Sequence, residues 1–375
     1  MGMRTTTRLI VAVGLLMLLS AGIAGVSAAE TSVAQADELT CEFPVEMEDV
    51  SGETVTLDEE PDEVVVLAAS GAQYMWYMNA EHKVTGVPDF HATQYIEGLD
   101  ERTNVVDEMG SPINEEVVAL DPDLVYAPSV VSDEDVEELR DAGLTVYHEE
   151  MKISIEDTYA VLERLGQLVG ECEAAAETVE DMQGAFDEFD RVFADEEPVS
   201  VFYSLDPETG WTAGAGTVED QLITIAGGEN IAADEYDSYA EISEEDVVDA
   251  DPEWLVIGEN RELPPEAEDT TAVQEDQIVR VNPNFISQHG PVLTEPTADM
   301  AEQFHPEAYE ELDQNLIRLI DDDTFTTEPL EDTDDTTDET DDVDDTADAD
   351  DDGAGLTVVT AAVALSLVAF IARKR

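Results

Sequence analysis

The sequence predicts an α/β protein of two lobes with mainly parallel sheets, joined by a single long backbone helix. Three observations carry this expectation. First, Asn114-Glu-Glu-Val-Val-Ala-Leu-Asp-Pro-Asp-Leu-Val125 lies over Glu244-Glu-Asp-Val-Val-Asp-Ala-Asp-Pro-Glu-Trp-Leu255 at a spacing of 130 residues (245 − 115). That period is too long for a solenoid and points to two similar lobes, each built on its own sheet. Second, apolar strand-length runs alternate with helical segments, the order that makes parallel sheets with crossover helices. Third, a long amphipathic stretch fills the space between the two repeats.

The elements follow in chain order. Residues 1–29 read as a signal peptide: Arg4 and Arg8 start it, Leu9–Leu19 is apolar, and Val26-Ser-Ala-Ala29 is a small-residue cleavage site. The N-terminal lobe, 45–170, opens with the strand Val64–Leu67, turns through Ala68–Gly71 and continues as a helix over Ala72–Met78. A second strand is expected near Val84–Val87, and Trp76 is read as core beside Met75 and Met78. In each repeat a short acidic helix stops at a proline and is followed by a buried strand, Leu124–Tyr126 or Leu255–Ile257. Residues 171–197 form the inter-lobe helix, with apolar positions at Ala176, Val179, Met182, Phe186, Phe189 and Phe193 and a stop at Pro198. Such a helix of ~22 residues spans ~33 Å. The C-terminal lobe, 198–320, begins with the strand Val199–Tyr203, loops through Asp206-Pro207, and enters a helix after Thr212–Thr217 that ends at Ala226.

Past the lobes, 321–352 is an acidic, threonine-rich stalk whose composition cannot bury a core and is expected to be disordered. Residues 353–375 form a membrane or sorting segment, in which the apolar run Leu356–Ala372 precedes Arg373-Lys-Arg375. The chain is thus expected on the extracellular face of the cytoplasmic membrane, anchored at its C-terminus.

Composition narrows the functional classes. Asp and Glu number 93 against 14 Lys and Arg, a net charge of −79. That surface would repel itself strongly in dilute buffer and fits life in multimolar salt. It excludes nucleic acid as a partner, since such binding needs a basic footprint. Cys41 and Cys172 are the only cysteines. In an exported chain they are a candidate disulfide, with two free or buried thiols as the alternative.

Several stretches taken together resemble the helical-backbone class of substrate-binding proteins of ABC importers, nearest to the receptors for cobalamin and ferric siderophores. They are Val64–Leu67 with its loop, Leu120–Val125, Arg140–Val146, Ile155–Gly170, Trp211–Gly214, Ala226–Asn230 and Ile242–Pro252. The resemblance covers residues from about 45 to 320. It implies a monomeric receptor that works with permease and ATPase subunits and itself binds no cofactor. It places permease-docking glutamates at Glu115 and Glu245, the two positions that the repeat pairs. It also points to Phe90, Trp211, Tyr239 and Phe285 as aromatic ligand contacts in the strand-end loops. Flat apolar faces suit a large planar macrocycle. Val292 stands where the family often has arginine, which favours a corrinoid over a ferric siderophore or haem. The chain's ending resembles the tripartite sorting signal recognised by archaeosortases, although Gly353-Ala-Gly-Leu356 lacks its proline and phenylalanine.

Other functions find less support. His82, His91, His148, His289 and His305 form neither a His-rich loop nor a pair at i, i+4, so no metal site is expected and a metal-ion receptor is a lesser alternative. A purely structural surface protein is another. Catalysis is not expected: no Gly-x-Ser-x-Gly elbow occurs, and Gly214-Ala-Gly-Thr217 lacks the lysine of a phosphate loop.

Overall fold

A computed structural model describes residues 41–150 and 154–319. The signal peptide (1–29), the stalk (321–352) and the C-terminal segment (353–375) lie outside the described residues. An antiparallel hairpin, β1 (Val45–Glu48) with β2 (Thr54–Leu57), precedes the first lobe. The lobe's strands are β3 (Val64–Val66), β4 (Val84–Val87), β5 (Thr103–Asn104), β6 (Leu124–Pro128) and β7 (Val146–Glu149). They lie parallel in the order β5-β4-β3-β6-β7. Its helices are α1 (Ala69–Tyr77), α2 (Asn114–Leu120) and α3 (Asp133–Asp141).

Two helices connect the lobes. α4 (Ile155–Val169) ends at Gly170, whose φ of 84° reverses the chain into α5 (Cys172–Phe193). The pair packs closely: a Cβ on Gly166 would stand 2.4 Å from the Cβ of Ala175. Along α5 the buried positions are Cys172, Ala175, Thr178, Val179, Met182, Ala185, Phe186, Phe189 and Phe193. Ala175 rather than Ala176 takes the first of the expected core sites. The helix also stops at Phe193, before Pro198, because a turn at 194–195 intervenes.

In the second lobe, β8 (Val199–Ser204), β10 (Gly228–Asn230), β12 (Trp254–Gly258) and β13 (Ile278–Val281) form a parallel sheet ordered β10-β8-β12-β13. The expected loop after β8 contains β9 (Trp211–Ala213), which pairs antiparallel with β11 (Tyr239–Glu241) as a separate ribbon. Helix α6 (Val218–Ile225) joins β9 to β10, and α7 (Glu244–Ala250) precedes β12. The short α8 (Thr271–Gln274) and α9 (Pro283–Ile286) flank β13, followed by α10 (Thr294–Phe304).

Strand alternation sorts the side chains into cores. Val64, Val66, Leu124 and Tyr126 face one cluster, whereas Val65, Val125 and Ala127 face another. In the second lobe Val201, Tyr203 and Val256 join the first cluster, and Phe202, Leu255 and Ile257 form a third. The first cluster therefore runs from one lobe to the other through Phe186, Phe189 and Phe193 of α5. The repeat survives in backbone detail. Asp121 and Asp251 end α2 and α7 in the left-handed region, at φ 50° and 44°, and Val117 and Val247 beneath them are fully buried.

Candidate functional site

In open parallel sheets the ligand belongs beyond the carboxyl ends of the strands. Three segments leave such ends here: α1 after β3, the loop 88–98 after β4, and 282–291 after β13. They meet in a seam between the lobes. The side-chain amide of Gln73 donates to the Tyr95 hydroxyl (2.9 Å), which donates to Gln288 Oε1 (2.8 Å). Gln288 Nε2 in turn donates to the Ala92 carbonyl (2.7 Å), and the Tyr74 hydroxyl donates to the His289 carbonyl. Phe285 meets Tyr95 edge to face at 5.0 Å between ring centroids. At Gly290 the backbone approaches Gln73 so closely that a Cβ would fall 1.9 Å from Gln73 Oε1. Burial pushes the hydroxyls of Tyr74 and Tyr95 upward, so both stay neutral donors.

The four aromatics expected to line the site divide into two groups. Phe285 lies in the seam and is buried against Tyr95. Phe90 shares the loop after β4, but its half-buried ring packs on the outer N-lobe cluster and over Gly110, where a Cβ would meet it at 2.8 Å. Trp211 and Tyr239 sit together on the β9–β11 ribbon, Trp211 half-buried and Tyr239 buried. The Tyr239 hydroxyl points into the C-terminal lobe and donates to Glu219 Oε2 (2.9 Å). Burial pushes the Glu219 carboxyl up to about 7. Gln73, Tyr74, Tyr95 and Gln288 escape a reading of the sequence alone. Their common signal is position just past a strand end, which many residues share.

Glu115 and Glu245 are both exposed in the first turns of α2 and α7. One helical turn on, at i+3, Val118 and Val248 are exposed as well, so each tip offers a carboxylate and an apolar side chain on one face. Cys41 and Cys172 are joined in a disulfide that ties the chain ahead of β1 to the start of α5. An open groove of about 510 Å³ runs among α4, α5 and α6, lined by Tyr159, Phe186, Asp187, Asp190 and Gln221. It lies against helices rather than strand ends. Among the described residues, no group of three or more His, Cys, Asp or Glu is arranged to hold a metal ion, and no helix is long and apolar enough to cross a membrane.

Residues 64–284 match the periplasmic binding protein family. The chain is 37% identical over 325 residues to the cobalamin-binding protein of Halobacterium salinarum, covering 80% of this chain and 85% of that one. Its fold is shared with the vitamin B12-binding protein of Vibrio cholerae (TM-score 0.56, 19% identity, 65% of this chain and 96% of that one). It is shared equally with a protein of an ABC-type Fe3+-hydroxamate transport system from Saccharomonospora viridis (TM-score 0.57, 21% identity, 70% and 100%). The chain's parallel two-lobe architecture and the match over both lobes make it a member of the periplasmic binding protein family.

Proposed function

We propose that this chain is the solute receptor of an ABC importer and that its ligand is a corrinoid of the cobalamin type. The observation that carries this reading is the 37% identity to a cobalamin-binding protein, maintained over 80% of the chain. The receptor captures the ligand between its lobes at the carboxyl ends of the strands and catalyses no reaction. It works as a monomer, held outside the membrane by the stalk and the C-terminal segment. Glu115 and Glu245 present charge-assisted contacts to cationic groups on the permease, one per lobe. A ferric siderophore or haem is the second reading, favoured by the fold shared with a hydroxamate transport protein.

Calorimetric titration of the full chain in multimolar KCl with cyanocobalamin, a ferric hydroxamate and haem separates the two. One-to-one binding of cyanocobalamin alone is expected. Binding of an iron chelate alone overturns the ligand and leaves the receptor reading standing. For docking, Glu115→Arg combined with Glu245→Arg is expected to abolish uptake by whole cells while ligand affinity stays unchanged. Normal uptake in that variant removes the docking role from both glutamates.

A further inference from the structure

The seam between the lobes consists of uncharged groups, and its chemistry speaks to the class of ligand. Gln73, Tyr74, Tyr95 and Gln288 bond across it as amide to hydroxyl, hydroxyl to amide, and hydroxyl or amide to backbone carbonyl. Among the described residues, none of these bonds involves a lysine or an arginine. Lys83, Arg140, Arg164 and Arg318 are instead held by Glu60, Asp49, Glu149 and Glu295. Gln73 Oε1 is fully buried and has no hydrogen-bond partner among the described residues. An unpaired buried acceptor is costly, and what satisfies it must bring an N–H or O–H.

We propose that this seam is the ligand subsite in its shut form, and that it selects a neutral, amide-bearing ligand over one bearing carboxylates. The inference rests on the corrinoid reading and deepens it. Opening the seam breaks the Tyr95–Gln288 and Tyr74–His289 bonds. A primary amide on the ligand replaces them one for one, because it both donates and accepts. A further amide of the same ligand supplies the donor that Gln73 Oε1 lacks. An ionised carboxylate only accepts. It would face Gln73 Oε1 acceptor to acceptor and enter a buried site whose hydrogen bonds, among the described residues, involve no lysine or arginine. Tyr95 and Gln288 thus hold the lobes together without ligand and change partners when it arrives. Phe285, edge-on to Tyr95, moves with them to meet the macrocycle.

A matched pair of probes tests this. Dicyanocobinamide carries its peripheral side chains as amides, whereas dicyanocobyrinic acid offers the same ring with carboxylates. Both are titrated into the full chain in multimolar KCl, where screening reaches only ~3 Å at 1 M and the net charge of −79 no longer decides between them. The amide form is expected to bind on the order of 100-fold more tightly. Tyr95→Phe and Gln288→Leu should each narrow that ratio about tenfold, with far-ultraviolet circular dichroism checking that the variants fold. Equal affinities, or a ratio untouched in folded variants, overturn the seam inference and leave the corrinoid receptor intact. If neither probe binds, the corrinoid reading falls and the seam inference with it. The unmutated pair decides even where a variant fails to fold.

Discussion

Glu149 in the N-terminal lobe and Glu219 in the C-terminal lobe are both buried beside tyrosines, and the two sites solve the same electrostatic problem differently. In the N-terminal lobe Glu149, at the end of β7, is 4% exposed and receives Nε and Nη2 of Arg164 at 3.0 Å each. Tyr74, Tyr126 and Tyr147 surround it, their hydroxyls pushed upward by burial and then by the Glu149 charge. In the C-terminal lobe Glu219, in the first turn of α6, is 2% exposed, and its carboxyl accepts from its own backbone N–H and from the Tyr239 hydroxyl. Burial moves it to about 7. A bidentate guanidinium fixes the charge of the first glutamate. The second holds a proton across much of the acid range. The first of these glutamates therefore sits in an ion pair and the second titrates, although both sheets follow the same plan.

Breaking the ion pair should give the largest effect. Arg164→Leu takes the bidentate guanidinium away from buried Glu149 and is expected to cost about 3–5 kcal/mol. Urea denaturation at constant KCl measures it. Glu149→Gln in the same chain should restore most of that loss, because the charge that needs compensation is gone. A double variant no more stable than Arg164→Leu alone would mean that Arg164 acts through packing.

The titrating glutamate should give a smaller effect that depends on pH. Its folded pKa lies at about 7, above the ordinary 4.5. Between those values the unfolded chain releases the proton while the native state keeps it, so stability falls as pH rises, and the loss is complete above about 7. The shift corresponds to roughly 3 kcal/mol. Glu219→Gln keeps an acceptor for Tyr239 and removes the titration. Parent and variant should match near pH 4, and the variant should be the more stable at pH 8. Parallel stability curves from pH 4 to 8 would contradict the assignment.

The frame of the molecule was legible before any coordinates, and the contents of its site were not. The repeat around Glu115 and Glu245 announced two lobes because it combines buried valines, a proline stop and a strand, all local signals. The valine run at 64–66 reads as a strand buried on both faces for the same reason. By contrast, Tyr95 and Gln288 lie 193 residues apart and are joined only by tertiary folding. The β9–β11 ribbon pairs two three-residue strands across an intervening helix and strand, leaving no periodicity to detect. Tyr239 and Phe285 are both expected in strand-end loops; Tyr239 instead opens β11 and Phe285 lies in α9 just past β13, and position does not say which way a ring turns. One hydroxyl went to a buried carboxylate and one ring went to the seam.

The smallest change tests the Glu219 environment most finely. Tyr239→Phe removes one hydroxyl from a buried ring and leaves its packing in place. Above pH 7 the lost bond is one to a carboxylate, which contributes about 1.5–3 kcal/mol; below it the acceptor is neutral and the contribution is about 0.5–1.5 kcal/mol. The cost of the substitution should therefore grow with pH, and the midpoint of that growth should mark the titration of Glu219. Without the hydroxyl, the bond that holds the charged form down is gone, so the carboxyl should titrate still higher. No corresponding pH dependence is expected from Tyr126→Phe in the other lobe. Arg164 pairs with Glu149 there, and among the described residues the Tyr126 hydroxyl has no hydrogen-bond partner to lose. A cost for Tyr239→Phe that stays flat from pH 5 to 8 would mean that Glu219 does not change charge in that range, and the contrast between the lobes would reduce to one of packing.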